Sequence, residues 1–252
     1  MKLHCLGTTG YHPCQSQHTA CYYLPEYGIV LDAGTGAFRL TEHLLNEPRQ
    51  SLDIFLSHSH LDHVFGLTFL LDTLAITSLK RVRVFGESQK LAAIREHLFS
   101  DSLFPVLPPF EFCPLDAVPG EMTLENEVRI EWFALEHPGG CLGFRLTTPD
   151  GKSLAYVTDT IAHPNAAYVQ HIRGVDLLLH ECYFTDAQQE FAMKTGHSWF
   201  SAVCQVIDQA SPKLAYLIHV SPIAELTGSA FGFTEPQRAK IRIARDMDCI
   251  TV

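Results

Sequence analysis

The chain lacks the features that would point to a membrane-bound or secreted protein. Its longest apolar run, Val64 to Ile76, is too short to span a bilayer and contains Asp72. The N-terminus opens directly into a strand-like segment, with neither the apolar core nor the cleavage site of a signal peptide. The eight cysteines are scattered and include no Cys-x-x-Cys pair. This pattern favours reduced thiols in a cytoplasmic protein.

Basic residues are also scarce. The 18 Lys and Arg residues face 28 Asp and Glu residues, which gives a formal net charge of −10. Because nucleic-acid binding depends on many contacts between Lys or Arg and phosphate, this balance disfavours, without excluding, a nucleic-acid partner. No repeat, low-complexity run or linker interrupts the 252 residues. We therefore predict one domain, residues 1–252, with one large core.

Hydrophobic patterning predicts two groups of consecutive strands, each followed by helices. The predicted strands are Lys2–Leu6, Thr19–Leu24, Ile29–Asp32, Asp53–Ser57, Val128–Leu135, Leu142–Thr148, Ser153–Thr158, Asp176–His180 and Leu214–His219. The predicted helices are Leu67–Leu79, Ser88–Phe99, Ser198–Ala210 capped by Ser198, and a last one opening on a Thr234/Gln237 capping box. The proline-rich stretch Phe104–Pro119 is predicted to be a surface loop. This order indicates an α/β (α+β) fold, an αββα sandwich of two mixed β-sheets flanked by helices.

The strongest chemical signal is the segment Ser57-His58-Ser59-His60-Leu61-Asp62-His63. Residues two apart on an extended segment share a face, so His58 and His60 are expected to point at one ion. Asp62 and His63 follow as the chain turns, where they would serve a second ion. Imidazole and carboxylate together suit Zn²⁺, Fe or Mn²⁺. A histidine-rich surface loop is the alternative interpretation of this segment.

Three further polar residues stand where predicted apolar strands stop: His137, Asp159 and His219. Each has a plainer interpretation, as a turn residue, a helix cap and a buried structural histidine respectively. Two ions need more ligands than the first segment supplies, however. We therefore interpret the three residues together with that segment as one candidate metal centre.

This succession of HxHxDH, a lone His, a strand-terminal Asp and a final His resembles the metallo-β-lactamase superfamily over nearly the whole chain. The resemblance implies the metallo-β-lactamase fold and two divalent ions per chain, Zn²⁺ first, with Mn²⁺ or Fe as alternatives. It assigns His58, His60 and His137 to one ion and Asp62, His63 and His219 to the other, with Asp159 bridging. It also implies that Asp32, in the Val30–Gly36 turn, supports the metal ligands; a plain turn residue is the alternative.

Three segments are similar to the ribonuclease Z-like and phosphodiesterase branch of that superfamily: Leu6-Gly7-Thr8 with Pro13, His180–Phe184 and Gly196-His197-Ser198. The resemblance implies that His197 is a general acid or transition-state stabiliser oriented by Glu181. With Asp62, these two form the predicted catalytic group. The alternatives are a residue at a helix N-terminus for His197 and a surface carboxylate for Glu181.

One departure from that branch narrows the predicted substrate. Members that process transfer RNA carry a long arm between the lone His and the bridging Asp, whereas His137 and Asp159 leave room here only for a two-strand hairpin. We therefore predict a binuclear metal-dependent hydrolase that cleaves small phosphodiesters, of the cyclic nucleotide or cyclic sugar phosphate type, through a hydroxide shared by the ions. The loops Phe104–Pro119 and Ser221–Phe233 are predicted to line its pocket.

Other functions stay open at this stage. A ribonuclease Z-like RNA endonuclease and a thioester hydrolase of the glyoxalase II type would use nearly the same ligands, although the thioesterase would not need His180–Phe184 or Gly196–Ser198. A non-catalytic metal-binding sensor is disfavoured because the ligand set is intact. The expected partner is a small phosphodiester and no membrane, and a homodimer is one option for assembly.

Overall fold

The computed structural model describes residues 1–223 and 231–252, so residues 224–230 of the predicted loop Ser221–Phe233 lie outside the described residues. The described chain forms two compact units. The first comprises Lys2–Ala117 and Arg245–Thr251, and the second comprises Val118–Ala244 together with the two terminal residues. The single-domain organisation stays a prediction.

The first unit is built on a seven-stranded mixed sheet with the order β14-β1-β2-β3-β4-β5-β6. Its strands are β1 (Lys2–Gly7), β2 (Cys21–Leu24), β3 (Ile29–Leu31), β4 (Ser51–Phe55), β5 (Arg81–Gly86), β6 (Phe110–Pro114) and β14 (Cys249–Thr251). Strands β3 to β6 run parallel. Its helices are α1 (Leu40–Asn46), α2 (Leu61–Val64), α3 (Leu70–Ile76) and α4 (Ser88–Ala93). Short 3₁₀ segments span Thr35–Arg39 and Phe65–Phe69, and a π turn spans Ile94–Leu98.

The second unit has a seven-stranded mixed sheet with the order β13-β12-β11-β10-β9-β8-β7. Its strands are β7 (Gly120–Thr123), β8 (Arg129–Leu135), β9 (Cys141–Thr147), β10 (Ser153–Val157), β11 (Leu177–Glu181), β12 (Leu214–Ile218) and β13 (Ile241–Ile243). Strands β10 to β13 run parallel. Its helices are α5 (Gln189–Thr195), α6 (Phe200–Ala210) and α7 (Glu235–Lys240), with 3₁₀ turns at Ala167–Gln170 and Asp186–Gln188.

Local sequence explains where these elements form and end. The parallel strands β10 and β11 are buried along their whole length, as strands covered on both faces must be. The predicted capping box is present, because the Thr234 and Gln237 side chains satisfy reciprocal backbone donors at the start of α7. Helix α5 ends on Gly196, whose φ of 78° is the left-handed conformation that glycine adopts at low cost. No described helix is long and apolar enough to cross a bilayer.

The predicted two mixed sheets flanked by helices are confirmed, and each predicted strand coincides with an observed one whose ends shift by at most two residues. Three local predictions are wrong. Phe104–Pro119 is not all loop, because Phe110–Pro114 within it forms the edge strand β6. Ser198 does not cap α6, since Trp199 holds the N-cap position. The predicted helix Leu67–Leu79 is a 3₁₀ segment followed by the shorter α3.

Candidate metal centre

In the first unit, strand β4 delivers the HxHxDH segment to the edge of the sheet. His58 is buried and His60 is exposed. Their ring centroids lie 4.4 Å apart, and the ring of His63 lies 4.3 Å from that of His58. Helix α2 begins one residue after His60 and carries Asp62 and His63 in its first turns. The structure therefore brings the three predicted histidines of this segment together, as the sequence indicated.

Asp32 lies directly behind these histidines. Its Oδ2 accepts a hydrogen bond from Nδ1 of His63 at 2.7 Å, and it also accepts one from the hydroxyl of Ser57 at 2.7 Å. The same hydroxyl lies 3.0 Å from Nδ1 of His58. Because the hydroxyl hydrogen points at the carboxylate, Nδ1–H of His58 donates to the Ser57 oxygen. One buried carboxylate thus leaves Nε2 of both imidazoles as the atom with a lone pair for a metal.

The second unit gathers its predicted ligands around Asp159, which follows β10. Nε2 of His219 lies 3.3 Å from Oδ1 of Asp159, and Nε2 of His137 lies 3.6 Å from Oδ2. The opposite nitrogen of His137 donates to the backbone oxygen of Gly196 at 2.8 Å. His137 therefore also presents a lone pair at Nε2. Each oxygen of one carboxylate faces a different imidazole, as a carboxylate that bridges two ions would require.

These separations fit a divalent ion better than direct hydrogen bonds. Hydrogen bonds between nitrogen and oxygen are about 2.7–3.2 Å long, whereas two ligands of a tetrahedral Zn²⁺ lie about 3.4 Å apart. The contacts of Asp159 with its two histidines, and the 3.4 Å between Nε2 of His63 and Oδ2 of Asp62, fall at or near the second value. Each unit therefore contains carboxylates together with histidines whose tautomers are fixed by hydrogen bonds. These groups fit Zn²⁺, Mn²⁺ or Fe as metal ligands.

Glu181 and His197 form a second constellation within the second unit. The fully buried carboxylate of Glu181 accepts backbone hydrogen bonds from Thr160, Tyr183 and Ser198, at 2.8 to 3.3 Å. Its Oε1 also lies 3.1 Å from Nδ1 of His197. The three backbone donors fix this carboxylate, which in turn fixes the ring of His197. That ring stacks on Tyr183 and on His219, with centroid distances of 4.9 and 5.5 Å, and the rings of Tyr183 and His219 also contact each other at 5.6 Å. Glu181 is therefore not the surface carboxylate of the alternative interpretation.

Behind Glu181, the neighbouring His180 has a structural role. Burial lowers its pKa, so the ring is neutral near pH 7. Its Nδ1 donates to the backbone oxygen of Glu181 at 2.7 Å, and its Nε2 accepts from the hydroxyl of Tyr168 at 2.9 Å. His180 therefore belongs to the support of the site and not to its ligands.

Sequence reasoning missed three contributors to the site. Ser57 connects Asp32 to His58, Gly196 supplies the acceptor for His137, and the backbone N–H of Tyr11 donates to Oδ2 of Asp62 at 2.8 Å. Ser57 immediately precedes the histidine motif and Gly196 immediately precedes His197, so adjacency was a usable signal for both. Tyr11 is 51 residues from Asp62, and no local pattern predicts that contact.

The hairpin between His137 and Asp159 is short. Strands β9 and β10 are antiparallel neighbours joined by residues 148–152. The turn is closed by a hydrogen bond from Thr148 N to the Lys152 oxygen at 2.9 Å, and Gly151 adopts a φ of 81°. The predicted two-strand hairpin without an arm is what the structure contains.

Comparison with known proteins decides the family. A family model described as a β-lactamase superfamily domain matches residues 27–220. The chain belongs to that superfamily. Ribonuclease Z of Acaryochloris marina is 26% identical over 284 aligned positions, which cover 88% of this chain and 86% of that protein. The predicted resemblance to the metallo-β-lactamase superfamily and its ribonuclease Z-like branch is confirmed.

Solved structures agree on the fold. Human tRNase Z, short form, superposes with a TM-score of 0.75 at 21% identity, covering 100% of this chain and 99% of that one. A diphosphatase from the PhnP family gives a TM-score of 0.71 at 18% identity, covering 100% and 97%. The metallo-β-lactamase fold predicted above is therefore confirmed, and the chain is a hydrolase of this superfamily.

Proposed function

We propose that this metallo-β-lactamase-family hydrolase is a binuclear phosphodiesterase acting on small phosphodiesters, of the cyclic nucleotide or cyclic sugar phosphate type. The observation that carries the proposal is the five-residue turn of the β9–β10 hairpin, at the position where the long arm of tRNA-processing members would emerge. Without that arm this hairpin offers no extended surface for binding a large RNA, whereas a small phosphodiester needs only the metal centre itself. The similarity to a PhnP-family diphosphatase supports the same choice.

The proposed ligands are the residues whose chemistry fits the ions. His58, His60 and His137 would hold one ion, Asp62, His63 and His219 the other, and Asp159 would contribute to both. Zn²⁺ is the first candidate because it takes imidazole and carboxylate ligands at low coordination number. When bound, two such ions would activate water as the nucleophile and neutralise charge developing on phosphorus.

His197 would supply the proton that the leaving oxygen needs. The Glu181 carboxylate accepts from its Nδ1 at 3.1 Å and so fixes the orientation of the ring. Its ring lies next to those of His137 and His219, at centroid distances of 5.0 and 5.5 Å. Nε2 is the opposite ring nitrogen to the one that contacts Glu181, and a proton there could be donated to the leaving group. Glu181 acts through His197 and is a positioning residue.

A ribonuclease Z-like RNA endonuclease is the second candidate. Its support is the similarity to the ribonuclease Z of Acaryochloris marina over most of both chains. An endonuclease would cleave a transfer-RNA precursor at least as efficiently as a small phosphodiester. The two candidates therefore differ in their ratio of kcat/KM for the two substrates.

The test begins with hydrolysis of bis-p-nitrophenyl phosphate by chelated protein reloaded separately with Zn²⁺ and Mn²⁺. We expect each metal to restore turnover, and we expect elemental analysis to give two ions per chain. Asp159→Asn should abolish both turnover and metal binding. Asp208 carries an exposed carboxylate on α6, so the control Asp208→Asn should change neither turnover nor metal content. Two bound ions without phosphodiester turnover would reject the proposal, and a thioester substrate such as S-lactoylglutathione would then test the glyoxalase II-type alternative. Inertness toward every class would favour a sensor.

A further inference from the structure

Tyr11 combines two features that seldom occur together. Its side chain is 74% exposed, and among the described residues no large apolar side chain is more exposed. Its backbone has a φ of 66°, in the left-handed region where non-glycine residues are disfavoured. A glycine would adopt this backbone without strain. Retaining tyrosine there therefore costs stability, and such strain concentrates at functional sites.

The loop that carries Tyr11 is held at both ends by one carboxylate. Oδ1 of Asp246 accepts from the hydroxyl of Thr8 at 2.8 Å, and Oδ2 accepts from the backbone N–H of His18 at 2.7 Å. Arg39 forms an ion pair with the same Asp246. The ends of the loop are thereby fixed on the body of the first unit, so the position of Tyr11 is fixed as well.

The tip of that loop contacts the metal-binding motif. The left-handed backbone of Tyr11 aims its N–H at Oδ2 of Asp62, 2.8 Å away. The ring itself makes one aromatic contact within the loop, an edge-on approach to His12 with centroids 5.4 Å apart. Leu61, which precedes Asp62, is likewise 66% exposed. An aromatic face is thus presented to solvent beside a proposed ligand, where it contributes little to the core.

We propose that Tyr11 is a specificity-determining residue, whose ring stacks on the base of a nucleotide substrate held at this centre. The inference rests on the proposed phosphodiesterase function and narrows its substrate class to nucleotides. A flat phenol ring exposes a π face to any base, and base–aromatic stacking adds binding energy without requiring a particular base. A sugar phosphate without a base would gain little from the same ring.

The test compares two five-membered cyclic phosphodiesters that differ in the base: adenosine 2′,3′-cyclic phosphate and glycerol 1,2-cyclic phosphate. Tyr11→Leu should raise KM about tenfold for the first substrate, leave its kcat unchanged, and alter neither constant more than about twofold for the second. Tyr11→Phe, which retains the ring, should match the unsubstituted enzyme. Metal content should stay constant in all variants, because the N–H that holds Asp62 belongs to the backbone. Equal changes in KM for both substrates would overturn the proposal.

A second variant and a binding measurement keep the two proposals separate. Tyr11→Gly should be at least as resistant to urea as the unsubstituted protein while losing the preference for the nucleotide; lower stability would mean that the ring has a structural role. Calorimetric titration with adenosine 5′-monophosphate reports stacking without turnover. Weaker binding by Tyr11→Leu, in a protein that hydrolyses no phosphodiester, would support stacking and reject the phosphodiesterase. Unchanged binding of adenosine 5′-monophosphate by Tyr11→Leu, in an active phosphodiesterase, would reject stacking and support the phosphodiesterase.

Discussion

Nδ1 of His63 lies 2.7 Å from Oδ2 of Asp32, and neither side chain has any exposed surface. A buried carboxylate that accepts from one imidazole nitrogen fixes the ring and makes the other nitrogen a better metal ligand. Asp32 reaches a second histidine, His58, through the Ser57 hydroxyl. One residue far from the histidine motif in sequence thus sets the tautomers of two proposed ligands.

We expect Asp32→Asn to weaken metal binding about 10- to 100-fold, because the amide replaces a charged acceptor with a weaker one. Asparagine tolerates left-handed backbone, so the φ of 55° at this position should persist. Competition with a chromophoric chelator measures the effect. Asp72→Asn, on the exposed side of α3, is the matched control and should bind metal normally. Unaltered affinity in Asp32→Asn would show that the histidines do not depend on this carboxylate.

His197→Asn should lower kcat about 100- to 10,000-fold, the usual contribution of a general acid, while two ions stay bound. A substrate with p-nitrophenolate as leaving group needs less protonation than one with an alkoxide. The defect should therefore be larger for a ribose or glycerol phosphodiester than for bis-p-nitrophenyl phosphate. His97→Asn, an exposed histidine in the first unit, should leave kcat unchanged. Loss of metal from His197→Asn would instead identify His197 as a ligand.

Much of the fold and of the site was predictable because the signals are local. Strand β4 ends on the apolar pair Ile54-Phe55, and the histidine motif begins three residues after Phe55. The missed elements depend on tertiary contacts. Strand β6 is flanked by prolines and is stabilised by pairing with β5, and β14 is three residues long and forms only against β1. The hydrogen bond from Tyr11 to Asp62 likewise depends on a loop whose ends are fixed by Asp246, near the other end of the chain.

Gly196→Ala tests whether the backbone behind His137 matters to the ligand. A Cβ at this position would lie 2.3 Å from Cδ of Pro138, so the segment that accepts from His137 must shift. Gly151 has nearly the same φ, 81° against 78°, but nothing lies within 4 Å of its Cβ position. Both alanine variants should lose about 1–2 kcal/mol from the left-handed backbone. Gly196→Ala alone should lose more stability and bind metal more weakly; equal losses, with normal affinity in both, would contradict this.

Asp176 links stability to acid pH in the second unit. Burial by itself would raise the pKa of this carboxyl, but hydrogen bonds from the Lys213 ammonium and from Ser153 outweigh it and lower the pKa from 3.8 to about 2. Because the folded pKa lies below the unfolded one, the ionised carboxylate stabilises the fold above about pH 4, and this contribution disappears as the pH falls toward 2.

Asp176→Asn should therefore be less stable than the unsubstituted protein at pH 6, by about 1 kcal/mol once solvent screening is considered, and the difference should shrink toward pH 2–3. Urea unfolding of both proteins across that range measures it, and protonation of the metal ligands affects both chains alike. Lys213→Gln removes the ammonium but retains the Ser153 donors, so the pKa of Asp176 should be lowered less, and the loss of stability in acid should be smaller and complete at a higher pH. A constant difference between the unsubstituted protein and Asp176→Asn at all pH values would mean that packing, and not ionisation, is what Asp176 contributes.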